Sequence, residues 1–316
     1  MKETMFSNYD MRDAFIASLY DYARDNKDIV MISNDFGAPA LDKFRADLPD
    51  QFINGAISEQ NIISVAAGMA KSGKKVIVYS IATFISLRAL EQIKIDLCVM
   101  NLPVIILAVG TGYAYPMDGP THHATEDISI LRSLSNMSIY CPSDSNLASS
   151  LTDLVKNTQG PAYIRLDRGR LPSLHKFPID ISDGFFVSGE GTDIAIIATG
   201  GMVHRAIEVA NLLKQDAINV AIIDLFKIKP IKLKILSKEL MKYKALTSLE
   251  EHTINGGVGS IVAEALADSG LQKPLFRNAI NDELLYAYGA RDYLHKKRDL
   301  DAESLAKKIK KWFRSL

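Results

Sequence analysis

The chain has 316 residues, 47% of them hydrophobic, enough to bury a sizeable core and to form two domains of ordinary size. Lys and Arg total 37 and Asp and Glu total 37, so no excess charge draws the chain to nucleic acid, anionic lipid or an acidic protein, and ionic recognition has to be local. The start, Met1-Lys2-Glu3-Thr4, is polar where a signal peptide needs an apolar stretch, and no apolar run reaches the length of a membrane span, so a cytoplasmic address is expected.

Strand-like and helix-like segments alternate from the beginning. Asp28 to Ser33, Lys75 to Ser80, Pro103 to Val109, Met137 to Pro142 and Ala162 to Leu166 are short, apolar and β-rich. Between them, stretches near 11–24, 61–72, 86–100, 125–134 and 145–157 have helical length and spacing. Alternation of this kind predicts a mainly parallel sheet covered on both faces. From Arg170 to Gly191 the pattern lapses into prolines and glycines, as in a linker with one short hairpin.

A second alternating region follows, with strands at Asp193 to Thr199, Asn219 to Leu225, Ala245 to Glu250 and Leu275 to Asn278. Helices are expected near 203–215, 232–241, 258–269 and 302–314. The fold class is therefore α/β, with two doubly wound domains at 1–172 and 191–316 joined by a linker at 173–190. The last helix carries Lys307, Lys308, Lys310, Lys311 and Arg314, a solvated basic face. Cys98 and Cys141 sit in apolar stretches without CxxC spacing, so buried free thiols are expected rather than a disulfide or a zinc site.

Chemistry concentrates in three segments of the first region. Gly55-Ala56-Ile57-Ser58-Glu59-Gln60-Asn61 leads into a run so apolar that its helix should be buried on all sides. Ser58 reads as the N-cap, and Glu59 falls in the first turn, where the helix dipole favours a carboxylate. It is either a capping acid or, being buried, an acid that needs a specific partner. Downstream lie Phe84, in Ile81-Ala82-Thr83-Phe84-Ile85-Ser86-Leu87-Arg88-Ala89-Leu90, and the string Met117-Asp118-Gly119-Pro120-Thr121-His122-His123. Taken singly, Phe84 could be core and the histidines packing residues. The second string follows a buried strand, however, and loops at the carboxyl ends of parallel strands are where ligands bind.

Together these segments resemble the transketolase family, across nearly the whole chain. The resemblance implies that Glu59 bonds to a ring nitrogen of the thiamine aminopyrimidine and promotes its imino tautomer, so that cofactor carries the carbanion chemistry. Phe84 and Ile81 would pack on the ring, although Ile81 and Leu90 stand where split transketolases usually carry aromatics. Asp118 and His122 would contact sugar hydroxyls and the thiamine-bound intermediate, with His123 beside them. Arg12 and Arg168 occupy positions of substrate-phosphate arginines, and guanidinium forks suit phosphate oxygens. The loop Gly110-Thr111-Gly112-Tyr113-Ala114-Tyr115-Pro116 lacks the histidine that many transketolases place near the phosphate.

In the second region, Ala198-Thr199-Gly200-Gly201 and Leu249-Glu250-Glu251-His252-Thr253-Ile254-Asn255-Gly256-Gly257-Val258-Gly259 resemble the family's C-terminal domain. Their glycines suit tight turns, and neither GxGxxG spacing nor a P-loop lysine marks a phosphate site.

No GDG motif with a following asparagine occurs, which is the family's diphosphate and metal site. The resemblance thus implies thiamine diphosphate shared with a separately encoded N-terminal subunit that holds Mg2+ or Ca2+, in an α2β2 heterotetramer. The implied reaction is reversible transfer of a two-carbon ketol unit from a ketose to an aldose, with sugar phosphates as the natural substrate class. The β subunit of a 2-oxo-acid dehydrogenase, a deoxyxylulose phosphate synthase-like acyl transferase and a non-catalytic partner subunit are the alternatives; the DGPTHH string argues against the first.

Overall fold

The computed structural model describes Phe6 and residues 9–316, and the start Met1-Lys2-Glu3-Thr4 lies outside them. The chain divides into two compact units: one takes the described residues up to Thr111 together with Ile130–Ile179, the other Gly112–Ser129 and Asp180–Leu316. The segment Gly112–Ser129 therefore belongs with the second unit although it follows a strand of the first.

In the first unit, strands β1 (Ile29–Ser33), β2 (Phe52–Asn54), β3 (Lys75–Ile81), β4 (Val104–Val109), β5 (Ser138–Tyr140) and β6 (Ala162–Leu166) lie in the order β5-β6-β4-β3-β1-β2. All these pairings are parallel. Every residue of β1, β4 and β6 is buried, as apolar strands covered on both faces must be. β2 and the helix Pro39–Asp47 were not anticipated. β2 has three residues, too few to show a period, and the helix buries only Leu41 and Phe44.

The expected helix near 86–100 is instead Ala82–Arg88, a short turn at Leu90–Gln92 and a π-helical stretch Ile93–Val99, broken where Ala89 leaves helical geometry. Cys98 and Cys141 are buried free thiols.

The second unit holds β7 (Phe186–Ser188), β8 (Ile194–Ala198), β9 (Val220–Asp224), β10 (Lys227–Lys229), β11 (Ala245–Thr253) and β12 (Leu275–Ile280), with a sheet in the order β12-β11-β8-β9-β7. Only β7 runs antiparallel in that sheet. β7 pairs with β9, so the hairpin expected in the linker is instead a lone edge strand. Helices Met202–Gln215, Val258–Asp268 and Ala302–Phe313 follow the predicted spacing, and Arg291–Lys297 is an additional one. On the closing helix, Lys310 and Arg314 pair with Asp216, while Lys307 and Lys311 are exposed. No helix among the described residues is long and apolar enough to cross a membrane.

Candidate active site

The turn between β2 and the helix Glu59–Lys71 is built for tightness. A Cβ at Gly55 would collide with Ile62, and Ala56 is held at φ 51° by its N–H donating to Asn54 Oδ1 at 2.9 Å. The Asn34 amide donates to the Ala56 carbonyl at 2.7 Å, pinning the turn to the end of β1. Ser58 stands at the N-cap position but does not cap: its hydroxyl donates to the Gly55 carbonyl and accepts no helix N–H. Nor is the helix buried all round. Glu59, Ile62, Ile63, Ala66, Ala67 and Ala70 face inward, whereas Gln60, Asn61, Ser64, Val65 and Gly68 are exposed. Val65 is the one large apolar residue on that outer face.

Glu59 is only 7% exposed, and Arg88 Nη1 donates to its Oε1 at 3.3 Å. The same guanidinium lies 4.0 Å over the Phe84 ring, a cation–π contact along one face of the helix Ala82–Arg88 at i, i+4 spacing. Phe84 is half-buried, and Ile81, the last residue of β3, is likewise partly exposed. Ile57, Ser58, Glu59, Gln60, Asn61 and Arg88 line an open recess of about 520 Å³. Sequence reasoning missed Arg88, whose signal was its place one helical turn after Phe84.

Arg12 and Arg168 are brought to one place by Asp10. The Asp10 carboxylate accepts the Arg12 N–H at 3.2 Å and the Gly169 N–H at 2.9 Å. Burial pushes the Asp10 carboxyl up, against the bond from Gly169 and the charge of Arg12. The Arg12 fork closes on Asp13, with Nε at 2.8 Å and Nη2 at 3.2 Å, so a phosphate would have to share or displace that partner. Burial disfavours the Arg12 charge, yet Asp13 and Tyr79 more than compensate and hold its pKa above the ordinary arginine value. Arg168 is exposed, just past the end of β6.

In the second unit, Gly112 and Ala124 exchange two backbone hydrogen bonds, at 2.9 and 3.0 Å, and close the intervening residues into a loop. Asp118 is exposed on it, and His122 is partly exposed with Nδ1 3.0 Å from the Thr121 hydroxyl. His123 differs from both: it is 4% exposed, its ring meets Tyr113 edge-on at 4.8 Å, and its Nε2 is buried without a hydrogen-bond partner. Burial holds its pKa below the ordinary imidazole value. The glycine-rich turn before the helix Val258–Asp268 carries its own anion. Glu250 accepts the Val258 N–H at 2.6 Å and the Gly259 N–H at 2.8 Å, and a Cβ at Gly257 would collide with its carboxylate. That helix start is satisfied internally, so the turn is structural.

Glu59 and Phe84 both meet one flat, nitrogen-bearing group, the Arg88 guanidinium, which lies on the Phe84 ring and bonds to Glu59. An aminopyrimidine ring has the same requirements: an apolar face and a carboxylate at its edge. Residues 7–173 match the transketolase pyrimidine-binding domain and residues 186–305 the transketolase C-terminal domain. The chain belongs to the transketolase family, whose members are thiamine diphosphate-dependent transferases.

Among its relatives, an apulose-4-phosphate transketolase subunit from Actinobacillus succinogenes is 33% identical over 297 residues, 93% of this chain and 94% of the relative. The corresponding protein from Phocaeicola vulgatus is 36% identical over 266 residues, 82% of this chain and 84% of the relative. A solved structure of a split-gene transketolase, an inactive beta4 tetramer, superposes with a TM-score of 0.84 at 30% identity, covering 96% of this chain and 97% of that one.

Proposed function

We propose that this chain is the C-terminal subunit of a split transketolase, transferring a two-carbon ketol unit between a ketose phosphate and an aldose phosphate. The observation that carries the reading is that a buried carboxylate, Glu59, and the face of Phe84 are both reached by one planar group, the Arg88 guanidinium. Thiamine diphosphate, when bound, supplies the carbanion chemistry that no side chain can. Glu59 would hold a proton at its carboxylate against a ring nitrogen, and Phe84 with Ile81 would pack the ring. Asp118, His122 and His123 are assigned to the sugar, with Arg12 and Arg168 as phosphate ligands. The pyrimidine domain is assigned to 1–172 and the C-terminal domain to 191–316, joined by a linker at 173–190.

Residues 1–316 contain no GDG motif with a following asparagine, so the diphosphate and its Mg2+ or Ca2+ are assigned to a separately encoded N-terminal subunit. Relatives that are themselves named as single subunits of a transketolase, and the inactive tetramer of a split-gene β chain, support that division. The exposed face of the helix Glu59–Lys71 is the surface we assign to self-association within an α2β2 assembly. Two buried free thiols suit a reducing compartment, and the cytoplasm is the proposed location.

The test is reconstitution with a diphosphate-binding transketolase subunit, thiamine diphosphate and Mg2+. Ketose phosphates such as xylulose phosphate should turn over and pyruvate should not be decarboxylated. Preference for pyruvate would move the chain to the acyl-transferring relatives, and full activity without a partner would end the split-subunit reading.

A further inference from the structure

Four consecutive residues of β11 hold the segment Gly112–Ser129 and the helix start beside it. Glu250 caps the helix Val258–Asp268, His252 Nε2 accepts the Ser129 N–H at 3.3 Å, and the Thr253 N–H donates to the Thr125 carbonyl at 2.7 Å. Between them Glu251 points at the neck of the loop. Gly112 sits at φ 55°, and a Cβ there would collide with the Glu251 carboxylate, so the backbone rests directly against that group.

Glu251 is 3% exposed, and a buried carboxylate is stable only when its charge is answered. Arg291 answers it with a fork, Nε on Oε1 at 3.0 Å and Nη2 on Oε2, and His295 Nε2 meets Oε1 as well. His295 Nε2 faces the Glu251 carboxylate and donates to it, and the Arg205 guanidinium lies 3.4 Å from the other ring nitrogen, Nδ1. Burial opposes the Glu251 charge, but Arg291 and His295 prevail and hold its carboxyl well below the usual range. The Tyr113 ring, next to Gly112, lies between His123 at 4.8 Å and His295 at 6.4 Å, so the cluster continues by packing into the loop.

We infer that Glu251, fixed by Arg291 and His295, is the positioning residue for the loop Gly112–Ala124, making the end of β11 the seat of Asp118, His122 and His123. The inference rests on the reading above in assigning those three residues to the sugar. Glu251 reaches no substrate itself; it acts by holding the Gly112–Ala124 neck in one register. A loose neck would leave the loop's side chains misplaced, and small misplacements are costly to catalysis.

Hydrogen exchange on the chain of residues 1–316 tests the inference without any activity. Glu251→Gln keeps the shape and removes the charge. It should speed exchange of the Gly112 and Ala124 amides about tenfold or more while the β8 amides of the same unit change by less than about threefold, since local opening is separable from global unfolding. Arg291→Lys, at a partly exposed position, keeps the cation and loses the fork; it should speed the same two amides by roughly two- to fivefold. It also serves if Glu251→Gln does not fold. Unchanged neck exchange, or uniform acceleration across the unit, would overturn the positioning role. In the reconstituted enzyme Glu251→Gln should lower kcat more than it raises KM, and a ketose phosphate assay silent even for the unmodified chain would count against the functional reading alone.

Discussion

Arg88 bonds to Glu59 at 3.3 Å while its guanidinium lies 4.0 Å over Phe84, so one side chain takes both contacts assigned to the cofactor ring. The two residues are 29 apart in sequence, and the ion pair joins the first residue of the helix after β2 to the last residue of the helix after β3, two strands that flank β1 in parallel. A planar cation on Phe84 and an aminopyrimidine on Phe84 exclude each other.

Removing Arg88 should therefore strengthen cofactor binding. The Arg88 side chain is 51% exposed, so the ion pair is discounted for solvent screening, and pair and ring contact together contribute on the order of 1 kcal/mol. Arg88→Ala in the assembled enzyme should bind thiamine diphosphate about three- to tenfold more tightly, read by calorimetric titration. Weaker binding would make Arg88 a ligand of the cofactor instead of its competitor.

Glu59→Gln separates the cap from the acid. An amide of the same shape keeps a hydrogen bond but cannot share a proton, so exchange of the cofactor's thiazolium proton and turnover should both slow by roughly two orders of magnitude. Stability should change by no more than about 1 kcal/mol, the scale of a helix-end interaction. Near-normal proton exchange in a folded complex would leave Glu59 as a structural acid.

Two glycines of the second unit form a matched pair. Gly270, at φ 65°, has nothing within 4 Å of a Cβ, whereas Gly112, at φ 55°, faces the Glu251 carboxylate. Gly270→Ala should cost about 1 kcal/mol, the left-handed strain alone, and Gly112→Ala at least roughly 2 kcal/mol more, measured by urea unfolding. Equal costs would show that the neck has room to give.

His123 predicts an acid-side loss of stability. Burial lowers its pKa from 6.5 and His122 adds to this, while Glu251 and Asp118 pull the other way. With a lowered pKa in the folded state, the unfolded chain binds more protons below pH 6.5, so this contribution is present above 6.5 and is lost as pH falls through the folded value. The urea midpoint of the unmodified chain should fall between about pH 7.5 and 5.5 more steeply than that of His123→Asn, and equal slopes would show that His123 is not held neutral.

Much of the architecture was legible because its signals are local. Apolar runs such as Val104–Val109 and Ile194–Ala198 are buried strands at the expected places, and the helices after them follow their apolar spacing. The place of Glu59 in the first turn of its helix was legible too, whereas the tight turn before it, with Ala56 at φ 51° bonded to Asn54, came only from the structure. Elements without enough length or period escaped, as β2 did with three residues. Ser58 was misjudged because a serine hydroxyl can donate to a nearby carbonyl as readily as it accepts a helix N–H.

By itself the amino-acid order determined the longer strands and helices, such as Val104–Val109, Ile194–Ala198 and Met202–Gln215, and a helix start at Glu59, because hydrophobic periodicity acts over a few residues. The tertiary structure alone decided that Arg88 lies between Phe84 and Glu59, that the helix Glu59–Lys71 leaves one face exposed, and that Glu251 meets Arg291 forty residues away. Each depends on strand order and on how buried charges find partners across long loops, and both are set by the packing of the whole unit.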